Sequence, residues 1–266
     1  FPYTTLFRSR LPGALDVFFF AVSDIPAVLH LFHEVRKSSF KVMAFEFLTQ
    51  NCLDLVQQIR NLSSPFPDAG ENLPSRTYVL LEIERSPSAT FQGELDAWLE
   101  GLFERGLVLE GVLAQSPREA KNIWSLRESI SESLSTRGFV HKNDISLPIS
   151  NLDIFIQEMY QVFAQQHSHL PVFLFGHIGD GNLHVNTLKP DDMDKDTFIS
   201  LSKKADQDLF GLVKKFRGSI SAEHGIGLLK KQALAFTRSD GEIALLRKVK
   251  KVFDPENLLN PGKIFD

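Results

Sequence analysis

The segment Pro171-Val172-Phe173-Leu174-Phe175-Gly176-His177-Ile178-Gly179-Asp180-Gly181-Asn182-Leu183-His184-Val185-Asn186-Thr187-Leu188 sets two apolar, β-prone runs on either side of a glycine-rich turn. That pattern predicts a hairpin, with strands at Pro171 to Phe175 and Leu183 to Leu188, and a hairpin requires antiparallel pairing. Outward from it, strand-like and helix-like segments alternate. Upstream strands are expected at Ala14 to Val22, Lys41 to Phe47, Tyr78 to Glu84, Leu107 to Ala114 and Phe139 to Leu147. Helices are expected from the Asp24 cap to about Ser38, from Gln50 to Arg60, from Ala89 to Glu104, from Ser116 to about Thr136 and from Ser150 to about Gln166. Two or three further helices close the chain, ending at the breakers Asp254-Pro255 and Asn260-Pro261-Gly262. The expected fold is α+β: a mixed, largely antiparallel sheet of about seven strands, flanked by helices in ferredoxin-like repeats, with a helical C-terminal segment.

The hairpin also carries the chemistry. Three glycines within residues 176–181 let the backbone turn tightly. In an extended strand alternate side chains share a face, so His184 and Asn186 point one way and Leu183 and Val185 the other. His177 lies across the turn, where it can fold toward His184. Two histidines held this way suit a divalent metal such as zinc. Ser221-Ala222-Glu223-His224-Gly225-Ile226-Gly227 offers a third ligand in Glu223. A His177, His184, Glu223 set would leave a coordination position open, as catalytic sites do. The plainer alternative is that both histidines are ordinary turn and strand residues with satisfied hydrogen bonds.

A second group lies upstream. Arg127 and Ser131 are four residues apart and share a face of the expected helix. An arginine fork beside a hydroxyl makes a carboxylate clamp, although a surface arginine would give the same spacing. Lys142 shares a strand face with Asp144, either as a binding residue, or as a solvated edge lysine or a partner to Asp144.

Composition narrows the field. The chain has 266 residues, 43% of them hydrophobic and 23% charged, an ordinary globular balance. A net charge of -4 gives no general reason to bind nucleic acid. The single cysteine, Cys52, rules out an internal disulfide and suits a reducing, cytoplasmic setting. The longest apolar run, Val17 to Val22, is far too short for a transmembrane helix. No signal peptide is readable, and no dinucleotide-binding glycine loop is present. Residues 1–9 (FPYTTLFRS) resemble the translation of a sequencing adapter and are expected to be non-native, so sequence upstream is expected to be lost. Residues 10–235 are expected to form a substrate- and metal-binding domain, and residues 236–266 a segment returning to a missing neighbour.

The stretches GHIGDGNLH (Gly176 to His184), AEHGIG (Ala222 to Gly227), WSLRESIS (Trp124 to Ser131), KNDISLP (Lys142 to Pro148) and FDPENLLNPGKIF (Phe253 to Phe265) resemble the C-terminal substrate-binding part of FAD-linked oxidases of the vanillyl-alcohol-oxidase type. Within them the chain is similar to the branch of D-lactate dehydrogenase, the glycolate oxidase flavin subunit and D-2-hydroxyglutarate dehydrogenase. The resemblance implies that His177, His184 and Glu223 are metal ligands. It implies that Asn186 and His224 meet the substrate, that Arg127, Ser131 and Lys142 bind it, and that Asn260 lies near the flavin. Ser131 stands where the D-2-hydroxyglutarate enzymes are expected to carry threonine.

The implied reaction oxidises a D-2-hydroxy acid (2-hydroxyglutarate, lactate or glycolate) to the 2-oxo acid, with hydride transfer to FAD held mainly by a missing N-terminal domain. His224 is the expected general base. The electrons would leave to an electron-transfer protein, a quinone or an iron–sulfur partner, with peripheral association at the inner membrane as a variant of the cytoplasmic placement. The fragment alone is expected to be inactive and to expose an apolar patch. Two other readings are a metal-dependent hydrolase and a non-enzymatic metal-binding α+β module.

Overall fold

The computed structural model describes residues 13–66 and 76–265; the expected non-native segment 1–9 lies outside them. Seven strands and eight α-helices are described, in two compact units.

The first unit comprises the described residues among 1–47 and 63–128. Its elements are β1 (Leu15–Val22), α1 (Ile25–Lys37), β2 (Lys41–Thr49, of which the last two residues belong to the other unit), β3 (Thr77–Glu84), α3 (Phe91–Glu104), β4 (Glu110–Leu113) and α4 (Pro117–Glu128). The strand order β4-β1-β3-β2 is that of a ferredoxin-like βαββαβ unit. β1 pairs antiparallel with both β3 and β4. Lying between two strands, it buries every residue from Asp16 to Val22. Phe18, Phe19 and Phe20 are nearly inaccessible, each contributing about 1.5–3 kcal/mol of burial. α1 begins as its sequence demands: Asp24 accepts the Ala27 N–H at 2.9 Å, and proline sits in the first turn.

The second unit holds α2 (Gln50–Arg60), α5 (Ile130–Arg137), β5 (Val140–Ser146), α6 (Leu152–Gln166), β6 (Val172–His177), β7 (Asn182–Leu188), α7 (Lys195–Lys215) and α8 (Asp240–Phe253). Its strands run β6-β7-β5, all antiparallel. This is the same repeat with its fourth strand reduced to one bridge. After α7 the chain forms one β-bridge with β5, at Ser219, which exchanges both backbone hydrogen bonds with Ser146 at 2.8 and 2.9 Å. It then leaves as a loop. α8 caps itself with a Ser239–Glu242 capping box but buries none of its residues; Val252 is 77% and Phe253 79% exposed.

Two expectations are corrected. The long helix after Ser116 is two helices, broken at Ser129, whose ψ of -5° departs from helical geometry. The serine-rich run 125–135 has side chains that compete for backbone hydrogen bonds and hold a helix weakly. The strand expected at Leu107 to Ala114 is shorter, because Leu107 still caps α3 by donating to the Leu102 carbonyl.

Candidate active site

The site in the second unit follows from strand register. On β5 and β7, Lys142 stands opposite Asn186, Asp144 opposite His184 and Ser146 opposite Asn182. On β6, Phe175 stands opposite His184 and His177 opposite Asn182. Directly opposed residues share a face, so all of these side chains rise from one side of the three strands. Leu174, Leu183, Val185 and Ile145 fill the other side and are buried.

The glycines have specific tasks. A Cβ on Gly176 would overlap the Asn182 carbonyl oxygen, so only glycine lets β6 close on β7 there. Gly181 has φ +70°, and its carbonyl accepts the Leu147 N–H at 2.9 Å.

A cavity of about 480 Å³ opens over this face. Among its lining residues are Ser131, Lys142, Asp144, His184, Asn186 and His224. Five of these six are candidates named from the sequence; Asp144 is not. The loop that replaces the fourth strand forms one wall. Its backbone is fixed to β5 where the Ala222 N–H meets the Asp144 carbonyl at 3.3 Å and the Glu223 N–H meets Asp144 Oδ2 at 3.1 Å. Gly225 and Gly227 both have positive φ, which turns the loop back over the cavity. Lys142 bonds the Ser135 hydroxyl at 3.3 Å rather than Asp144, so the lysine–aspartate pair that was one alternative is not formed.

Lys230, which the sequence reading passed over, also lines the cavity. It donates to the carbonyls of Asp144 and Ile220. Burial pushes its ammonium below the usual lysine range, and the carboxylates of Asp144 and Asp206 pull it partly back.

The expected metal ligands are only partly assembled. The rings of His177 and His184 lie edge-to-face at 5.5 Å. The Glu223 carboxylate instead accepts the Asn182 amide at 2.8 Å. Among the described residues no three His, Cys, Asp or Glu side chains are arranged to hold a metal ion. The ready-made three-ligand centre expected from the sequence is therefore not found. The donor chemistry still fits a divalent cation: two adjacent imidazoles, a carboxylate one hydrogen bond away, and a buried Asp144 Oδ1 with no hydrogen-bond partner among the described residues.

Arg127 belongs to the other unit, and Asn260 is not among this cavity's lining residues. Arg127, on α4 in the first unit, is buried, and its Nε donates to Glu46 at 3.0 Å. The break at Ser129 puts it on a different helix from Ser131. Asn260 lines a second, largely apolar cavity of about 560 Å³ with Leu246, Val249 and Phe265.

Residues 11–264 match the family described as FAD linked oxidases, C-terminal domain. The chain belongs to that family. As an FAD-linked oxidase C-terminal domain it is 37% identical over 261 residues to the D-2-hydroxyglutarate dehydrogenase of Stutzerimonas stutzeri (strain A1501), covering 98% of this chain and 54% of that protein. It is 33% identical to the mitochondrial D-2-hydroxyglutarate dehydrogenase of Arabidopsis thaliana, over 95% of this chain and 43% of the relative. The domain thus spans about half the length of the curated relatives it matches. Among solved structures, a 4-ethylphenol oxidase from Gulosibacter chungangensis in complex with isoeugenol aligns with TM-score 0.60 at 10% identity, over 97% of this chain and 55% of that one, a likeness of fold. Among the described residues no helix is long and apolar enough to cross a membrane.

Proposed function

We propose that this chain is the substrate- and cation-binding half of a flavin-dependent D-2-hydroxyacid dehydrogenase. The observation that carries the reading is the presence of Ser131, Lys142, His184, Asn186 and His224 on one cavity in an FAD-linked oxidase domain. The D-2-hydroxyglutarate dehydrogenase relatives favour a dicarboxylate such as 2-hydroxyglutarate over lactate or glycolate.

In this reading the ammonium of Lys142 and the hydroxyl of Ser131 hold carboxylate oxygens and fix the substrate's orientation. Asn186, opposite Lys142, donates its amide to the substrate. His224, 70% exposed on the glycine loop, takes the proton from the C2 hydroxyl. Arg127 enters as a second carboxylate clamp through the family resemblance alone, and Asn260 as a flavin neighbour likewise. When bound, FAD accepts the electrons and hydrogen leaving C2, and a divalent cation, zinc first, supplies Lewis acidity at the hydroxyl. His177, His184 and Glu223 would hold that cation. The apolar outer face of α8 fits a role for residues 236–266 in meeting the flavin-binding half. A cytoplasmic placement and an external electron acceptor complete the reading.

Anaerobic mixing of the full-length protein with D-2-hydroxyglutarate, D-lactate and glycolate tests this. Bleaching of the flavin absorbance by at least one acid is expected, fastest with the dicarboxylate. No bleaching with any of them rejects the reading. A metal-dependent hydrolase would leave the family match over residues 11–264 unexplained.

A further inference from the structure

β5 is the last strand in the sheet order, and beyond the Ser146–Ser219 bridge no strand pairs with its outer edge among the described residues. An unpaired edge leaves carbonyls that need donors. At Asp144 the donors come from the loop: the Ala222 N–H at 3.3 Å and the Lys230 ammonium at 3.1 Å. The same ammonium donates to the carbonyl of Ile220 at 2.5 Å, ten positions earlier in the chain. Ile220 is fully buried and marks the point where the loop leaves the interior. Lys230 thus ties the end of the loop to its beginning and to β5 with one group.

Packing does not hold this loop. No residue from Ser221 to Lys230 is buried, and Leu229 is 97% exposed. A segment with few buried contacts opens easily unless hydrogen bonds keep it closed. At its start those bonds are the Ala222 and Glu223 N–H groups on Asp144. In its middle the Gly227 carbonyl accepts the Ile264 N–H at 2.9 Å. At its end the side-chain tie is Lys230.

An apolar side chain would serve if Lys230 only filled space. Removing an ammonium from water is costly unless it is bonded. A half-buried lysine bonded to two main-chain oxygens is accounted for by the need to join two backbone segments. An ammonium suits this because it carries three hydrogens, where a backbone N–H carries one. We infer that Lys230 is a positioning residue that clasps the 221–229 loop to β5 and so fixes where Glu223 and His224 stand.

The clasp is a matter of geometry; its effect on turnover rests on the function proposed above. Lys230→Met in the full-length protein keeps the apolar stem and removes the donors. Hydrogen-exchange protection of the Ala222 and Glu223 amides, taken relative to their intrinsic rates, is expected to fall roughly tenfold or more, while protection across β7 holds. With D-2-hydroxyglutarate, kcat is expected to fall roughly 10–100-fold and KM to move less, because Lys142 and Asn186 stay on their strands. Lys230→Arg, which again supplies donors for both carbonyls, is expected to keep the loop protected, and it carries the test if Lys230→Met does not fold. Unchanged loop protection in a folded Lys230→Met overturns the inference. So does an equal loss across β7, an unchanged kcat in an enzyme whose flavin bleaches, or loss of loop protection in Lys230→Arg. Failure of every acid to bleach the wild-type flavin would sink the proposed function and leave the exchange result standing.

Discussion

Asp206 on α7 binds the His141 imidazole through both carboxylate oxygens, at 2.8 and 3.0 Å. The Asn143 amide joins the same carboxylate at 2.7 Å. His141 and Asn143 alternate along β5 with Lys142 and Asp144, so the back of the strand is anchored while its front faces the cavity. Removing this anchor should loosen the strand that carries the site. Asp206→Ala is expected to cost about 1.5–3 kcal/mol, the range for hydrogen bonds to charged groups. A lower midpoint in urea unfolding, together with a raised KM in the full-length enzyme, checks it. Unchanged values for both would show that the anchor is idle.

Gly176→Ala should be severe. The added methyl meets a main-chain carbonyl at Asn182, and a backbone atom cannot rotate away. The expected cost is at least about 1–3 kcal/mol, read as loss of soluble protein or as a lowered melting temperature. A neighbouring glycine with open space, Gly179, is the control, and Gly179→Ala should be far milder.

Lys142→Ala separates binding from folding. The side chain is exposed and, among the described residues, bonded only to a serine hydroxyl, so stability should change by less than about 0.5 kcal/mol. Loss of a charged contact to a carboxylate should lower kcat/KM for D-2-hydroxyglutarate roughly 10–100-fold. Steady-state kinetics beside a thermal melt would reveal either outcome.

The C-terminal segment should be acid-sensitive. The Lys250 ammonium and the N–H groups of Leu259 and Leu258 hold the Asp254 carboxyl below its usual range. A folded pKa below the unfolded one means stability that is present above about pH 3.9 and lost as pH falls through the lower, folded value. The protection of the Leu258 and Leu259 amides against hydrogen exchange, taken relative to their intrinsic rates at each pH, should therefore fall on acidification below that point. In Asp254→Ala it should already be low at pH 7.

Local pattern made much of this molecule legible. The glycine-rich hairpin, the helix of residues 50–60 and the alternation at His184 and Asn186 are written in adjacent residues. What stayed hidden depends on pairing between distant segments. Asp144 looked like a partner for Lys142, two residues away, because nothing nearby says that β5 lies against β7 with Asp144 opposite His184. Glu223 looked like a free ligand because its bond to Asn182 joins residues 41 apart. Arg127 and Ser131 looked like one helical face because the break between them depends on one backbone angle at Ser129.

The single Ser146–Ser219 bridge has a wider consequence. A strand in that position would owe every second residue to the interior, and its identities would be dictated by packing. Beyond Ile220, which is fully buried, the segment owes little to the interior; Glu223, His224, Leu228 and Leu229 are all exposed. Reactive groups there can be exchanged, added or withdrawn while the hydrophobic framework stays as it is. One scaffold could in this way acquire new chemistry by rewriting about ten residues.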